Sequence, residues 1–357
     1  MDAALVLSLA DRVAALATRS GTHPAVQSIG GRADRWAAAR RLVPGDPDGT
    51  PLGRARFGKL AARLFPEGRE DRVVLFTRWL IWTFALDDTI DDTPLGDSAT
   101  AVHGLYADLL GALRRGHSKP EAGPLEVALA DLWRETAPGM SAHWRRRFLR
   151  HMEDHRTGLG QEAVDRRTGR MPGPAEFPAL RRRGAAPYLY DLAEPTLGVE
   201  LHPGLTAGPA WKALVEGTAD MITWVNDVIS YLKETGHGAA PDRVLHNHVA
   251  VLRASGRMET PQAACRVVDL IAQRAPQVRD AARAVAAEFD RLAIGPEGRR
   301  DTAAVVRALL QAPRAHLDWL TETGRYTLAG AESPVVPIRR PAARLRTRPG
   351  ETLTGLR

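Results

Sequence analysis

A chain of 357 residues with one cysteine, Cys265, cannot form an internal disulfide or a zinc site built on several thiolates. Cys265 sits in the apolar-patterned stretch 264–270 and reads as a small buried hydrophobe, which suits a reducing cytoplasm. No basic patch followed by a sustained apolar region and a cleavage site is found near Met1, and Arg78 interrupts the longest apolar run before it could span a bilayer. Neither a targeting signal nor integral membrane association is therefore expected. Also missing are an alternating run strong enough to demand a sheet, a short-period repeat and a glycine-rich nucleotide loop. These absences leave an all-α architecture.

The net charge of +7 raises nucleic acid as a partner, but its location argues against one. Between residues 338 and 357 six arginines face one acid, Glu351, among Pro341, Pro349 and Gly350, so most of the excess lies in a tail that reads as flexible. No specific nucleic acid is expected. Hydrophobic residues make up 44% of the chain, enough for a substantial core.

Helical periodicity recurs over about 2–18, 54–64, 69–92, 99–114, 124–137, 140–167, 207–234, 241–257, 261–289 and 300–321. The stretch from Gly21 to Gly49 is punctuated by glycine and proline too often for one long helix, leaving room for a short one over 35–41. The segment 140–167 is crowded with charge and reads as an outer or rim helix.

Within this series two stretches carry chemistry. Asp87, Asp88, Asp91 and Asp92 close an apolar run that begins near Val73, and at about 100° per residue Asp87 and Asp91 share one helix face. Clustered carboxylates repel and oppose the helix dipole, whereas a hard cation such as Mg²⁺ draws them together and bridges them to phosphate. A solvated acidic helix end is the alternative. Further along, Asn226, Ser230 and Glu234 recur every fourth residue, advancing only about 40° per step. Amide, hydroxyl and carboxylate thus form one stripe of oxygen ligands amid Trp224, Val225, Val228, Ile229 and Leu232.

The order and separation of these motifs resemble those of bacterial class I terpene synthases. The matching pieces are Phe84-Ala85-Leu86-Asp87-Asp88-Thr89-Ile90-Asp91, then Asn226-Asp227 through Ser230 to Lys233-Glu234, then Arg325-Tyr326. The resemblance implies a class I isoprenoid synthase-like helical barrel over residues 55–328, after an N-terminal helical or irregular extension (1–54) and before the basic tail (329–357). It implies three Mg²⁺ ions held by Asp87, Asp88, Asp91, Asn226, Ser230 and Glu234. It also implies an isoprenyl diphosphate substrate, bound by Lys233, Arg325 and Tyr326 and sensed by Arg181, with Gly184 as linker and Ala185 as backbone effector. Arg182, adjacent to Arg181, stays open as the sensor. Phe84, Trp224 and Trp319, with Phe76 and Trp79, are candidates for an electron-rich wall around a carbocation. The family implies C15 farnesyl diphosphate first and C20 geranylgeranyl diphosphate second, because the first 50 or so residues lack the proline-containing opening of the sesquiterpene members. A monomer or homodimer is expected. A prenyl chain-elongating synthase would carry a second aspartate-rich motif where Asn226 to Glu234 stands. A magnesium phosphohydrolase would have no use for the long apolar walls, and a non-enzymatic helical partner would leave both ligand stripes unexplained.

Overall fold

The computed structural model describes residues 3–19, 21–43, 50–235, 244–256 and 258–326, and among these no strand occurs. The helices are α1 (Ala3–Leu16), α2 (Val26–Ala39), α3 (Pro51–Arg54), α4 (Phe57–Leu64), α5 (Glu70–Asp91), α6 (Ala99–Arg115), α7 (Pro124–Thr136) and α8 (Ala142–Thr168). They continue as α9 (Phe177–Gly184), α10 (Tyr188–Asp191), α11 (Ala193–Leu197), α12 (Pro203–Thr206), α13 (Pro209–Glu234), α14 (His248–Gly256), α15 (Thr260–Ala287) and α16 (Pro296–Glu322). A 3₁₀ turn, Gly324–Tyr326, follows α16. The expected basic tail lies outside the described residues.

Local chemistry sets several of these boundaries. Glu70 and Asp71 complement the dipole in the first turn of α5. Ser98 and Ser141 cap α6 and α8 through their hydroxyls, and Gly116 and Gly169 end the same two helices with φ of 77° and 68°, where a side chain would be strained.

Two expectations need correction. The glycine-rich stretch does not break: α2 runs through Gly30 and Gly31 because α4 crosses it backbone to backbone. A Cβ on Gly58 would lie 2.6 Å from the Gly30 Cα, so glycine here serves close packing rather than a turn. Nor is α8 a rim helix, since Trp144, Arg147, Phe148, Met152, His155, Leu159 and Glu162 form a buried stripe along it.

The described part of the N-terminal extension is built into the same body. α1 packs on α13, α15 and α16, with an Arg12–Asp269 ion pair at 2.8 Å, and α2 packs on α4 and α5 with Ile29 and Ala33 fully buried. α4, α5, α8, the α9–α10 break, α13 and α16 surround one elongated cavity. Behind its wall Trp79, Trp82, Trp144, Phe148 and Tyr188 form a sealed aromatic cluster of edge-on and stacked rings.

Candidate active site

The cavity encloses about 1180 Å³, acidic and basic at one end and apolar along α4, α5 and α16. Asp87, Asp88 and Asp91 project into the polar end from the last turns of α5. Arg325 grips Asp88 through both terminal nitrogens, at 2.6 and 3.1 Å, while its guanidinium lies 4.8 Å over the Phe84 ring. Arg166, from α8, donates to Asp91 at 2.6 Å. Asp87 is pushed up to about 8 by burial and by the neighbouring Asp91 and Asp88 charges, against the pull of Arg325.

The opposite wall is α13. Asn226 and Glu234 line the cavity, and Ser230 is buried on the same stripe with no hydrogen-bond partner for its Oγ among the described residues. Burial raises the Glu234 carboxyl, while the Ser230 hydroxyl, near but outside hydrogen-bond geometry, and the Asn247 amide at 2.9 Å pull it down. Arg181 donates to Asp227 at 2.8 and 3.0 Å and to the Asn226 side-chain oxygen at 3.3 Å. Burial works against its charge, and Asp227 outweighs burial. Asp227 itself is anchored by the His248 backbone N–H at 2.9 Å.

The two walls together offer carboxylate, amide and hydroxyl oxygens, including the buried Ser230 hydroxyl without a partner among the described residues and the Asp87 carboxyl pushed up to about 8. That donor set fits a hard divalent cation. Among the described residues no three His, Cys, Asp or Glu side chains close into a cage.

Between the walls lies the α9–α10 break, where Arg181, Gly184 and Ala185 all reach the cavity. Arg182 turns away to Asp220 at 2.8 Å, a carboxylate it shares with Arg274, and Arg183 is exposed. Gly184 owes its identity to space: a Cβ there would lie 2.3 Å from Glu162 Oε1, and one on Gly158 would lie 2.6 Å from the Gly184 nitrogen. His155 donates from Nε2 to the Gly184 carbonyl at 3.3 Å, leaving Nδ1 to accept from the Tyr106 hydroxyl at 2.6 Å. Burial holds this imidazole neutral, at about 4. Ala186, next to the expected effector, has φ of 50°, a left-handed conformation unfavourable for alanine and stored at the break.

The aromatic expectations divide. Phe84 and Phe76 line the cavity, whereas Trp79, Trp224 and Trp319 stand behind it. Trp319 is fully buried, donates to the Ala55 carbonyl at 2.6 Å and stacks on Phe57, and Trp224 packs edge-on against His248. Both indoles therefore support the wall instead of facing a ligand. The Lys233 and Tyr326 side chains lie outside the described residues.

Sequence reasoning missed Glu162, Arg166, His155, His246 and His316, all of which line the cavity. Burial disfavours the Glu162 charge, but His246, whose Nδ1 lies 3.5 Å away, and then Arg166 and Arg181 hold the carboxyl down to about 2. The signal for three of them was present: His155, Glu162 and Arg166 are spaced seven and four apart, one face of a helix.

Comparison with known proteins agrees with this geometry. The sequence model of terpene synthase family 2, C-terminal metal binding, matches residues 78–277. The chain is 31% identical to (-)-delta-cadinene synthase of Streptomyces clavuligerus over 85% of its own length and 91% of that protein's. It is 32% identical to the (+)-T-muurolol synthase of Roseiflexus castenholzii over 62% and 66% of the two chains. Among solved structures, wild-type cucumene synthase superposes with a TM-score of 0.71 at 26% identity, covering 85% of this chain and 97% of that one. A family match over more than half the chain, relatives along most of its length and an all-helical fold in which Asp87, Asp88 and Asp91 face the same cavity as Asn226 and Glu234 lead to a single conclusion: the protein belongs to the terpene synthase family and is a class I terpene synthase.

Proposed function

We propose that the protein ionises farnesyl diphosphate in the presence of Mg²⁺ and cyclises the resulting cation to a sesquiterpene. The observation that carries this is the division of the cavity into a carboxylate and arginine end and an apolar remainder. The chain length rests on relatives: the T-muurolol synthase and a (-)-beta-caryophyllene synthase, 27% identical, are both named as cyclising (2E,6E)-farnesyl diphosphate. The second reading is C20 geranylgeranyl diphosphate, which a cavity of about 1180 Å³ also admits.

Asp87, Asp88 and Asp91 on one wall and Asn226, Ser230 and Glu234 on the other would hold the metal, in the family's manner as three ions. Bound there, Mg²⁺ supplies neutralisation of the charge growing on the departing diphosphate oxygens. Arg325, Arg166 and Arg181 stand around the same end and would add donors to that leaving group, Arg325 exchanging Asp88 for it. Arg181 supports the sensor assignment better than Arg182, since it alone of the pair reaches the cavity while touching Asn226. Ring faces of Phe84 and Phe76 stabilise the allylic cation, and the apolar walls exclude bulk water from it.

Purified protein incubated separately with C10, C15 and C20 isoprenyl diphosphates and Mg²⁺ should release diphosphate and form a cyclic product with the highest kcat/KM for C15. A preference for C20 would overturn the chain length alone. Folded protein that released no diphosphate from any of the three would overturn the reading.

A further inference from the structure

Three successive turns of α8 address one residue, Gly184, the last of α9. His155 donates from Nε2 to its carbonyl at 3.3 Å, a Cβ on Gly158 would lie 2.6 Å from its nitrogen, and a Cβ on Gly184 itself would meet Glu162 Oε1 at 2.3 Å. Spacings of three and four put 155, 158 and 162 on one helix face. Only the imidazole contact is directional; the other two set how closely the chains approach. The ring is itself held on both flanks. Tyr106, fully buried on α6, places its hydroxyl 2.6 Å from Nδ1, and Tyr188, the first residue of α10, packs edge-on with ring centroids 5.5 Å apart while its own hydroxyl meets Thr83 of α5 at 3.0 Å. His155 therefore touches both sides of the α9–α10 break.

A carbonyl can only accept, so Nε2 carries the ring proton; the neutral imidazole then has its lone pair at Nδ1, and the Tyr106 hydroxyl donates to it. The donors run one way, from α6 through α8 to the end of α9. For packing alone the arrangement is dispensable, because two phenyl rings would fill the same volume without a buried hydroxyl and imidazole to satisfy. What it supplies is a donor for a carbonyl at a helix C-terminus, where the last carbonyls have no N–H ahead of them.

Arg181 stands three residues before that carbonyl on an eight-residue helix. Its guanidinium reaches Asn226 at 3.3 Å, whereas Arg182 goes to Asp220 at 2.8 Å. Turning so short a helix about its axis would draw Arg181 away from the cavity, towards the side that Arg182 occupies. We propose that Tyr106 and His155 are positioning residues for the ionisation step: by pinning the Gly184 carbonyl they fix the turn of α9 that presents Arg181 to the diphosphate. This rests on the proposed ionisation and on Arg181 as a donor to the leaving group. In this role neither side chain exchanges a proton with the substrate. Substrate is held at many points along the cavity, but the charge on the leaving group grows only as the C–O bond breaks, so misplacing one guanidinium slows ionisation more than it weakens binding.

The test compares Tyr106→Phe, His155→Phe, His155→Gln and the double variant Tyr106→Phe/His155→Phe in single-turnover diphosphate release, with Mg²⁺ and the best of the C10, C15 and C20 isoprenyl diphosphates, alongside thermal melts. At saturation Tyr106→Phe should be slower by about fivefold and His155→Phe by about twentyfold, each with a half-saturating concentration within about twofold of the parent. The amide of His155→Gln carries an N–H as far from the backbone as Nε2 and should restore the rate to within about fourfold of the parent. In the double variant the tyrosine change should add less than about 1.5-fold to the loss of His155→Phe, since the hydroxyl acts only through the ring. A role in packing alone would lower the melting temperature and leave the rate per folded molecule unchanged. Four results would overturn the proposal: Tyr106→Phe at the parent rate, His155→Gln no faster than His155→Phe, losses that multiply in the double variant, or half-saturating concentrations that rise with the rates unchanged. If His155→Phe does not fold, Tyr106→Phe and His155→Gln decide the matter by the same rates. A parent enzyme that released no diphosphate would instead sink the ionisation reading and this proposal with it.

Discussion

α8 carries two clusters of buried charge, one in each half, made from the same residue types and put to different ends. In the first half Arg147 pairs with Asp191 at 2.8 Å and with Glu194, and His151 closes on the other Asp191 oxygen at 2.7 Å. In the second half Glu162 and Arg166 meet His246 and Asp91, and the group opens on the cavity. Burial works against the Asp191 charge, but His151 and then Arg147 outweigh it and hold the carboxyl low. Asp87, in the open cluster, is pushed up instead. Neither cluster is uniform: Glu194, in the closed one, is raised to about 7 by burial, and Glu162, in the open one, is despite burial held down to about 2 by His246 and then Arg166 and Arg181. Buried charge by itself therefore does not mark a site. What marks one is a carboxylate left short of positive charge beside a space that can admit it.

That contrast can be broken from either side. Glu234→Gln removes a carboxylate proposed above to hold the metal while preserving shape and the Asn247 contact, and diphosphate release should fall by about a hundredfold or more with the melting temperature nearly unchanged. Parallel loss of both, followed by thermal melts and steady-state rates, would assign Glu234 to the scaffold. Arg147→Met should act the other way round. It leaves Glu194 without its ion pair and Asp191 with His151 alone, which costs about 3–5 kcal/mol of stability in denaturant titrations, while the rate per folded molecule stays close to the parent.

Asp87→Asn gives a small effect on stability, and its sign is the informative part. The folded carboxyl, at about 8, lies above its ordinary 3.8, so the native state holds more protons and stability falls as pH rises between those values. The amide removes that loss, so metal-free Asp87→Asn protein should melt about 1–3 °C above the parent at pH 8 and show a flatter pH profile, although it turns over poorly. Equal melting curves at pH 5 and pH 8 for the parent would show that cations nearby already balance Asp87.

The two oxygen-bearing stripes were legible as helix faces because spacing of four puts side chains on one face whatever the tertiary fold, and Asp87, Asp91, Asn226, Ser230 and Glu234 needed nothing more for that placement. The same rule did not find His316 or Tyr106. Each is a single polar residue on an apolar stripe, and only packing decides whether such a residue faces a cavity, a partner or nothing. Trp224 and Trp319 failed for a related reason: adjacency in sequence to a ligand places an indole near the site but not on its inner surface. Gly30 and Gly31 misled because a glycine that permits a turn and one that permits contact look identical until the neighbouring helix is known.

The Gly30–Gly58 crossing reaches further than the packing of two outer helices. α4, seated there without a side chain between backbones, carries Leu60 and Leu64 on its other side, and both are part of the cavity wall. A methyl group at position 58, meeting the Gly30 Cα at 2.6 Å, would lift α4 and carry those leucines with it. The mould in which a reactive chain folds is thus set in part from the rear, by a hydrogen atom that no substrate touches, and a lineage can alter the shape of what it synthesises without changing any residue in reach of the cation.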